Sequence, residues 1–221
     1  MRFRRASYIP VMNPTQNDFI HAAINVAILW MLTTPHEFAH AWVATKLGDD
    51  TPELEGRVTL QPLAHIDWIG TTLLPFISTL LTGGFIGWGK PVNVNISKLK
   101  YGLNGLLLVA LAGPAMNILF AFVLIVISVL TAKVFTDLAE FATEAERLSV
   151  YLAVFNLIPV PPLDGSKILI ALRFPSFLYN ELARFGFVLL ILAYQFTNLG
   201  YWISGLSSVI TAKLFHLVQG V

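Results

Sequence analysis

Thr34-Pro35-His36-Glu37-Phe38-Ala39-His40 lies inside a long apolar run and contains the pattern H-E-x-x-H. On a helix, His36 and His40 share one face, so their imidazoles can hold one metal ion while Glu37 lies near the open coordination position. A chance match in an apolar helix would leave these groups unpaired, and the carboxylate alone would cost about 3 kcal/mol. The stretch therefore predicts a metal site that needs a third ligand from elsewhere in the chain.

The composition is that of a membrane protein that crosses the bilayer several times. Of the 221 residues, 56% are hydrophobic and 12% are charged, whereas a soluble domain has about 25% charged residues. The net charge of +1, without a basic cluster beyond the N-terminal arginines, gives no indication of nucleic-acid binding. The absence of cysteine excludes disulfides and thiolate ligands, so a metal must be held by His, Asp or Glu.

Four apolar stretches predict the membrane helices. The first helix should end at Gly48, a residue suited to a helix C-terminus. The last stretch should break at Gly200 into a spanning half and a half that either spans or lies on the membrane. The stretches are residues 19–47, 101–132, 148–163 and 185–212.

The segment between the first two helices should be more irregular. Residues 69–81 are apolar but too few to span and contain Pro75, which favours a re-entrant segment. Residues 56–60 and 92–96 alternate as short β-strands do.

The predicted fold class is thus an all-α polytopic membrane protein with a three-helix catalytic core and one or two C-terminal membrane helices. Residues 1–18 would be a tail, and residues 19–221 one membrane-embedded domain whose core covers about 19–175.

Asp164 is the candidate third ligand. It follows an apolar segment broken by Pro159, Pro161 and Pro162, where the chain cannot continue as a helix. Irregular backbone at membrane depth is tolerated only when it is buried in protein or lines a wet cavity. From the residues alone, Asp164 is either a metal ligand or an ordinary N-cap of the next helix.

Three motifs, in this order, resemble those of the site-2 protease family of intramembrane zinc metalloproteases. They are His36-Glu37-Phe38-Ala39-His40, Ala112-Gly113-Pro114-Ala115-Met116-Asn117 and the stretch from Phe155-Asn156 to Leu163-Asp164-Gly165. Residues 48–52, 56–60 and 87–92 are similar to the small prokaryotic branch without a PDZ or CBS domain. The resemblance covers about residues 25–175.

This resemblance implies that Asp164 joins His36 and His40 around one Zn²⁺ ion. It also implies that Glu37 is the general base, which takes a proton from the attacking water and passes it to the leaving amide nitrogen. Two neutral imidazoles and one carboxylate leave a fourth position open, as in catalytic zinc sites.

Two asparagines complete the implied site. Asn156 and Asn117 would hold the substrate backbone or the oxyanion, although each could instead form a hydrogen bond between helices. The implied partners are the lipid bilayer and a membrane-protein substrate with a transmembrane helix, and no nucleic acid.

The expected function is zinc-dependent hydrolysis of a peptide bond within the transmembrane segment of another membrane protein. The expected location is a prokaryotic cell membrane. The alternative is a non-proteolytic metal-binding membrane protein, such as a zinc carrier or an inactive homologue that acts as a binding partner. Glu37 distinguishes the two, because a carrier has no use for a general base.

Overall fold

The computed structural model describes residues 14–82 and 87–220, and every regular element in these ranges is a helix. The predicted all-α class is therefore confirmed. A π-helical turn, Trp68–Leu73, leads directly into the third α-helix, and short 3-10 turns cover Pro62–Ala64 and Ile96–Lys98. The α-helices of the described residues are α1 Gln16–Lys46, α2 Thr51–Leu54, α3 Leu74–Thr82, α4 Leu103–Thr131, α5 Thr136–Asn156, α6 Gly165–Ala171, α7 Ser176–Phe196 and α8 Leu199–Gln219.

Three helices of the described chain, α1, α4 and α7, are long and apolar enough to cross a membrane. The helix α1 closes as predicted at Gly48, whose φ of +99° lies in the region that favours glycine. Residues 1–13 of the predicted tail, 1–18, lie outside the described residues. The last part of that range is already helical, because α1 begins at Gln16.

Contacts divide the chain into two compact units, Met1–Thr34 with Gln61–Pro91 and Pro35–Leu60 with Val92–Val221. In the first unit, the Trp30 indole N–H donates to Thr72 Oγ1 at 3.1 Å, and the Trp30 ring packs edge-on against Trp68. Asp67 caps the π-helical turn, because its carboxylate accepts hydrogen bonds from the Ile69 and Gly70 amides. The single domain predicted for 19–221 stays a prediction.

In the second unit, α4 packs along α5, α8 packs on both of these helices, and α6 packs on α4. Ala44, Leu99, Leu106 and Val109 form a buried apolar cluster that joins the last turns of α1 to the start of α4. Because His40 lies one turn before Ala44, this cluster holds the H-E-x-x-H stretch against α4.

The two predicted β-strands are wrong. Residues 56–60 form a turn followed by irregular chain, and residues 92–95 have no regular secondary structure and pair in no sheet of the described chain. Side chains rather than a strand ladder hold the second segment: Asp49 accepts a hydrogen bond from the Asn95 amide, and Glu55 accepts one from the Asn93 side chain. Alternation over five residues predicts a strand only where a partner strand exists, and no such partner is present in the described residues.

The third apolar stretch is also placed differently. The acidic residues before it and only the first part of the predicted segment, residues 148–156, belong to one helix, α5, which ends at Asn156 before the prolines. The final apolar run breaks at Thr197 and Asn198, between α7 and α8, rather than at Gly200. Residues 69–81 are helical, as part of Trp68–Thr82, and their re-entry into a bilayer stays a prediction.

Replacing Asp49 tests how the loop after α1 is fixed. Its fully buried carboxylate accepts hydrogen bonds from the Thr51 amide at 3.1 Å and the Asn95 amide at 2.6 Å. We expect Asp49→Ala to lower the free energy of unfolding by about 3 kcal/mol, because two partly buried backbone N–H groups lose a charged acceptor. Thermal unfolding in detergent measures the loss.

Asp50→Ala is the matched control. Asp50 pairs with Lys98 at the surface, which lowers the pKa of Asp50 and raises the pKa of Lys98. Such exposed pairs contribute little to stability. Equal losses in the two variants would contradict the role given to Asp49.

Candidate metal centre

Three ligand atoms from distant parts of the second unit converge on one point. His36 Nε2 lies 3.2 Å from His40 Nε2, and Asp164 Oδ2 lies 3.1 Å from the first and 3.0 Å from the second. All three side chains are buried, with 6%, 2% and 8% of the residue surface exposed. The structure thus brings together the two predicted histidine ligands and the predicted third ligand.

The hydrogen bonds of His40 determine which of its ring nitrogens is free to bind. Nδ1 donates to the carbonyl oxygen of Val109 at 2.7 Å. In a neutral imidazole this leaves an unshared electron pair on Nε2, the atom that faces Asp164 Oδ2. A carbonyl partner on the remote nitrogen is the usual arrangement in histidines that bind metals.

This donor set fits a cation. Two acceptor atoms at 3.0 Å, His40 Nε2 and Asp164 Oδ2, repel each other unless a positive charge lies between them. Ligands at 2.0–2.1 Å from a tetrahedral zinc ion are about 3.3 Å apart, close to the separations in this triangle. Two imidazoles and one carboxylate are hard to borderline ligands of the kind that zinc accepts. The three residues could therefore hold one zinc ion, whereas the number of ions bound remains a prediction.

One face of α4 forms a wall of the site. Val109, Gly113 and Asn117 follow one another at intervals of four residues, so they share that face. Val109 holds His40, as described above. A Cβ atom on Gly113 would overlap His40 Nε2 and lie 2.6 Å from His36 Nε2, so the residue must be glycine for the imidazoles to occupy their positions. The motif that contains Gly113 was recognised from the sequence, but this role was not.

The loop before α6 delivers Asp164. Consecutive turns close it, with the Leu163 amide donating to Val160 and the Ser166 amide donating to Leu163. Gly165 lets the loop approach the end of α5, since a Cβ there would lie 2.5 Å from the carbonyl oxygen of Ile158. Although Asp164 occupies the N-cap position of α6, its side chain makes no capping hydrogen bond. The alternative that Asp164 is merely a helix cap is therefore wrong.

The second oxygen of Asp164 has its own partner, which the sequence argument missed. Lys167 Nζ lies 2.8 Å from Asp164 Oδ1 and donates to it. The signal was available in the sequence, because a lysine three residues after the ligand on a helix can reach back to it.

Glu37 is buried on α1 between the two histidines in sequence. Arg57, a buried residue of the loop after α2, is close enough to Glu37 for an electrostatic interaction between the two charges. Burial lowers the pKa of Arg57, and the negative charges of Glu37 and Glu55 partly offset that effect. Arg57 stays protonated, so a fixed positive charge accompanies the candidate base.

The side-chain amides of the two predicted asparagines differ in their hydrogen bonds. Asn117 is buried on α4, and its Oδ1 has no hydrogen-bond partner among the described residues. Asn156 is half-buried at the end of α5, and its Nδ2 donates to the carbonyl of Leu152 in the preceding turn. Their predicted roles toward substrate stay predictions.

Several curated proteins are similar to this chain over most of its length. It is 36% identical over 180 residues to "Putative zinc metalloprotease YwhC" of Bacillus subtilis (strain 168), which covers 77% of this chain and 78% of that protein. Two further relatives carry the same description. Rip2 of Mycolicibacterium smegmatis is 30% identical over a region that covers 67% of this chain and 57% of the Rip2 chain. MJ0611 of Methanocaldococcus jannaschii is 33% identical over a region that covers 61% of this chain and 62% of the MJ0611 chain. No solved structure matches the chain at a comparable level.

A methyl group at position 113 tests the geometry of the ligand triangle. We expect Gly113→Ala to abolish zinc binding, because the added Cβ takes the space of the two Nε2 atoms. Gly205→Ala on α8 is the matched control, since a Cβ there meets nothing within 4 Å and alanine favours a helix. Zinc content of the purified proteins measures the effect, and full zinc occupancy in the Gly113 variant would contradict this geometry.

The family model that matches this chain describes peptidase family M50 and covers residues 24–148. The matched range includes His36, Glu37 and His40 on α1 and the whole of α4, and it exceeds half of the chain. Together with the relationship to the Bacillus protein, this match confirms the resemblance seen in the three motifs. The chain belongs to peptidase family M50, the site-2 protease family.

Proposed function

We propose that this protein is a zinc-dependent endopeptidase that cleaves a peptide bond in the transmembrane segment of another membrane protein. The observation that carries the proposal is the buried triangle of His36, His40 and Asp164, with the carboxyl group of Glu37 next to it in sequence. Family membership supports a peptidase, and the descriptions of the relatives as zinc metalloproteases support the metal. We propose one Zn²⁺ ion and a location in a prokaryotic cell membrane.

The depth of the site supports cleavage within the bilayer. His36 lies ten residues before the end of α1 at Lys46, which corresponds to about 15 Å along the helix. The helix α1 is itself one of the helices that could span the membrane. A peptide bond that reaches this site must come from a segment that enters the hydrophobic layer.

The chemistry then divides among the residues of the site. A zinc ion held by His36, His40 and Asp164 would lower the pKa of a water molecule to about 7 and polarise the scissile carbonyl. Glu37 takes the proton of the attacking water and donates it to the leaving nitrogen. Because a helical peptide bond is shielded by its own hydrogen bonds, the substrate must unwind locally before it reacts.

Asn117 and Asn156 are proposed to bind the unwound substrate. A buried amide oxygen without a partner is costly in the free protein, so Asn117 Oδ1 is suited to accept a hydrogen bond from the substrate backbone. The Nδ2 group of Asn156 is already donating within its own helix, but it has a second hydrogen that could reach an oxyanion.

The second candidate function is metal binding without proteolysis, as in a zinc carrier or an inactive homologue that acts as a binding partner. The buried ligand triangle is compatible with this function as well. Only the carboxyl group of Glu37 distinguishes the protease from the non-proteolytic metal-binding protein, because proteolysis needs this general base and metal binding does not.

Glu37→Gln tests the proposal directly. We expect the variant to bind zinc as wild type does and to cleave a model transmembrane substrate about 100- to 10,000-fold more slowly, because the amide cannot accept the proton. The measurements are zinc content and the rate of product formation in the same detergent or liposome preparation.

Glu53→Gln is the matched control for this variant. Glu53 is exposed on α2 and outside the ligand triangle, so the same change there should leave zinc content and rate unaltered. Cleavage at the wild-type rate by the Glu37 variant would exclude Glu37 as the base. Zinc binding without detectable cleavage in wild type, over a range of transmembrane substrates, would favour the carrier.

Replacing the asparagines tests substrate binding separately. We expect Asn156→Ala and Asn117→Ala to keep zinc but to lower kcat/KM, by about 100-fold or more where the lost group contacts the oxyanion. Single-turnover cleavage, compared with zinc content, is the measurement. A variant with unchanged kcat/KM would remove that asparagine from the proposed site and leave it as a helix-packing residue.

A further inference from the structure

Lys167 occupies a position that the proposed chemistry does not use. It lies in the first turn of α6, three residues after Asp164, and its side chain is 26% exposed. Its Nζ donates to Asp164 Oδ1 at 2.8 Å, and the backbone amide of Lys167 donates to the Asp164 carbonyl at 2.9 Å. Two contacts therefore tie this lysine to the residue that provides the third ligand atom.

The lysine contact separates the functions of the two oxygens of Asp164. Oδ2 faces both imidazoles, whereas Oδ1 is taken by the ammonium group. A carboxylate with both oxygens free can rotate about its last bond or bind a metal through both atoms. With Oδ1 fixed by a charged donor, the carboxylate presents one oxygen in one direction.

An ordinary ion pair for helix stability does not explain this placement. The positive end of the helix dipole lies at the N-terminus of α6, so a lysine in the first turn is unfavourable for the helix itself. The pair is also not a solvent-exposed one, because Asp164 is buried with 8% of its surface exposed. The position of Lys167 is therefore explained by its contact with the ligand Asp164 and not by a contribution to the stability of α6.

We propose that Lys167 is a positioning residue of the metal centre, which holds Asp164 as a one-oxygen ligand and thereby sets the affinity for zinc. This inference rests on the proposed zinc site and adds a residue that does not itself touch the metal or the substrate. Outer partners of metal ligands typically contribute about 10- to 100-fold to metal affinity.

Zinc affinity of variants, measured by competition with a chromophoric chelator in detergent, tests the proposal. We expect Lys167→Met to weaken zinc binding about 10- to 100-fold and Lys167→Arg to restore it, because the guanidinium also donates to a carboxylate. Lys213→Met, on the exposed face of α8, removes the same charge elsewhere and should bind zinc as wild type does.

Co²⁺ substitution provides a second readout that a merely structural role would not move. Wild type and Lys167→Arg should share one visible spectrum, and Lys167→Met should differ because Asp164 changes its mode of binding. If Lys167→Met does not fold without metal, as judged by thermal unfolding, Lys167→Gln replaces it. Glutamine is neutral and one bond shorter, and we expect it to weaken zinc binding as well.

The outcomes distinguish this proposal from the protease proposal. Wild-type zinc affinity and an unchanged Co²⁺ spectrum in the Met or Gln variant would overturn the role of Lys167 while the protease proposal stands. An equal loss of affinity in Lys213→Met would also overturn it, because the effect would then be one of net charge. A wild-type protein that binds no zinc would contradict both proposals.

Discussion

The structure depends on one electrostatic constraint, namely that two imidazole nitrogens and a carboxylate oxygen point at each other inside a packed helical unit. At a separation of 3.0 Å the acceptor atoms His40 Nε2 and Asp164 Oδ2 repel each other, and burial removes the water that would screen them. A cation at their centre turns this repulsion into attraction. The surrounding elements are best understood as the means by which the chain holds the three atoms at that distance.

Three features of the fold supply this support. The apolar cluster of Ala44 with the start of α4 fixes the end of α1, so that His40 meets the carbonyl of Val109. Gly113 leaves the space that the imidazoles occupy. The turns after α5 hold Asp164 in place without a strand or a long loop. Rigid support of this kind keeps the ligand atoms in place before the metal binds.

The chemistry was predictable from sequence because it depends on residue types that have few other reasons to lie in apolar segments. His36, Glu37, His40 and Asp164 stand out for that reason, and the family motifs removed the ambiguity between a ligand and a cap at Asp164. The all-α class followed from the length of the apolar runs, and the end of α1 was predicted to within a few residues.

Features that arise from tertiary contacts were not predictable in the same way. The alternation at 56–60 and 92–96 suggested strands, but residues 56–60 form a turn and irregular chain, and the second segment is held by side chains such as Asp49 and Glu55. The acidic residues at the start of α5 suggested a separate segment, but the structure shows that they and the apolar residues up to Asn156 form one helix. The role of Gly113 becomes visible only when distances to the ligand atoms are known. The spacing of Lys167 from Asp164 was present in the sequence, but the 2.8 Å contact was needed to show that the lysine reaches the ligand.

X-ray absorption at the zinc edge of the purified protein tests the central claim most directly. The account predicts one zinc ion per chain, with two imidazole nitrogens and one carboxylate oxygen in its shell at about 2.0–2.2 Å and an oxygen from water as the fourth ligand. In the Asp164→Ala variant, the carboxylate contribution should disappear while at least one imidazole remains. A zinc shell without imidazole, or an unchanged shell in that variant, would contradict the account.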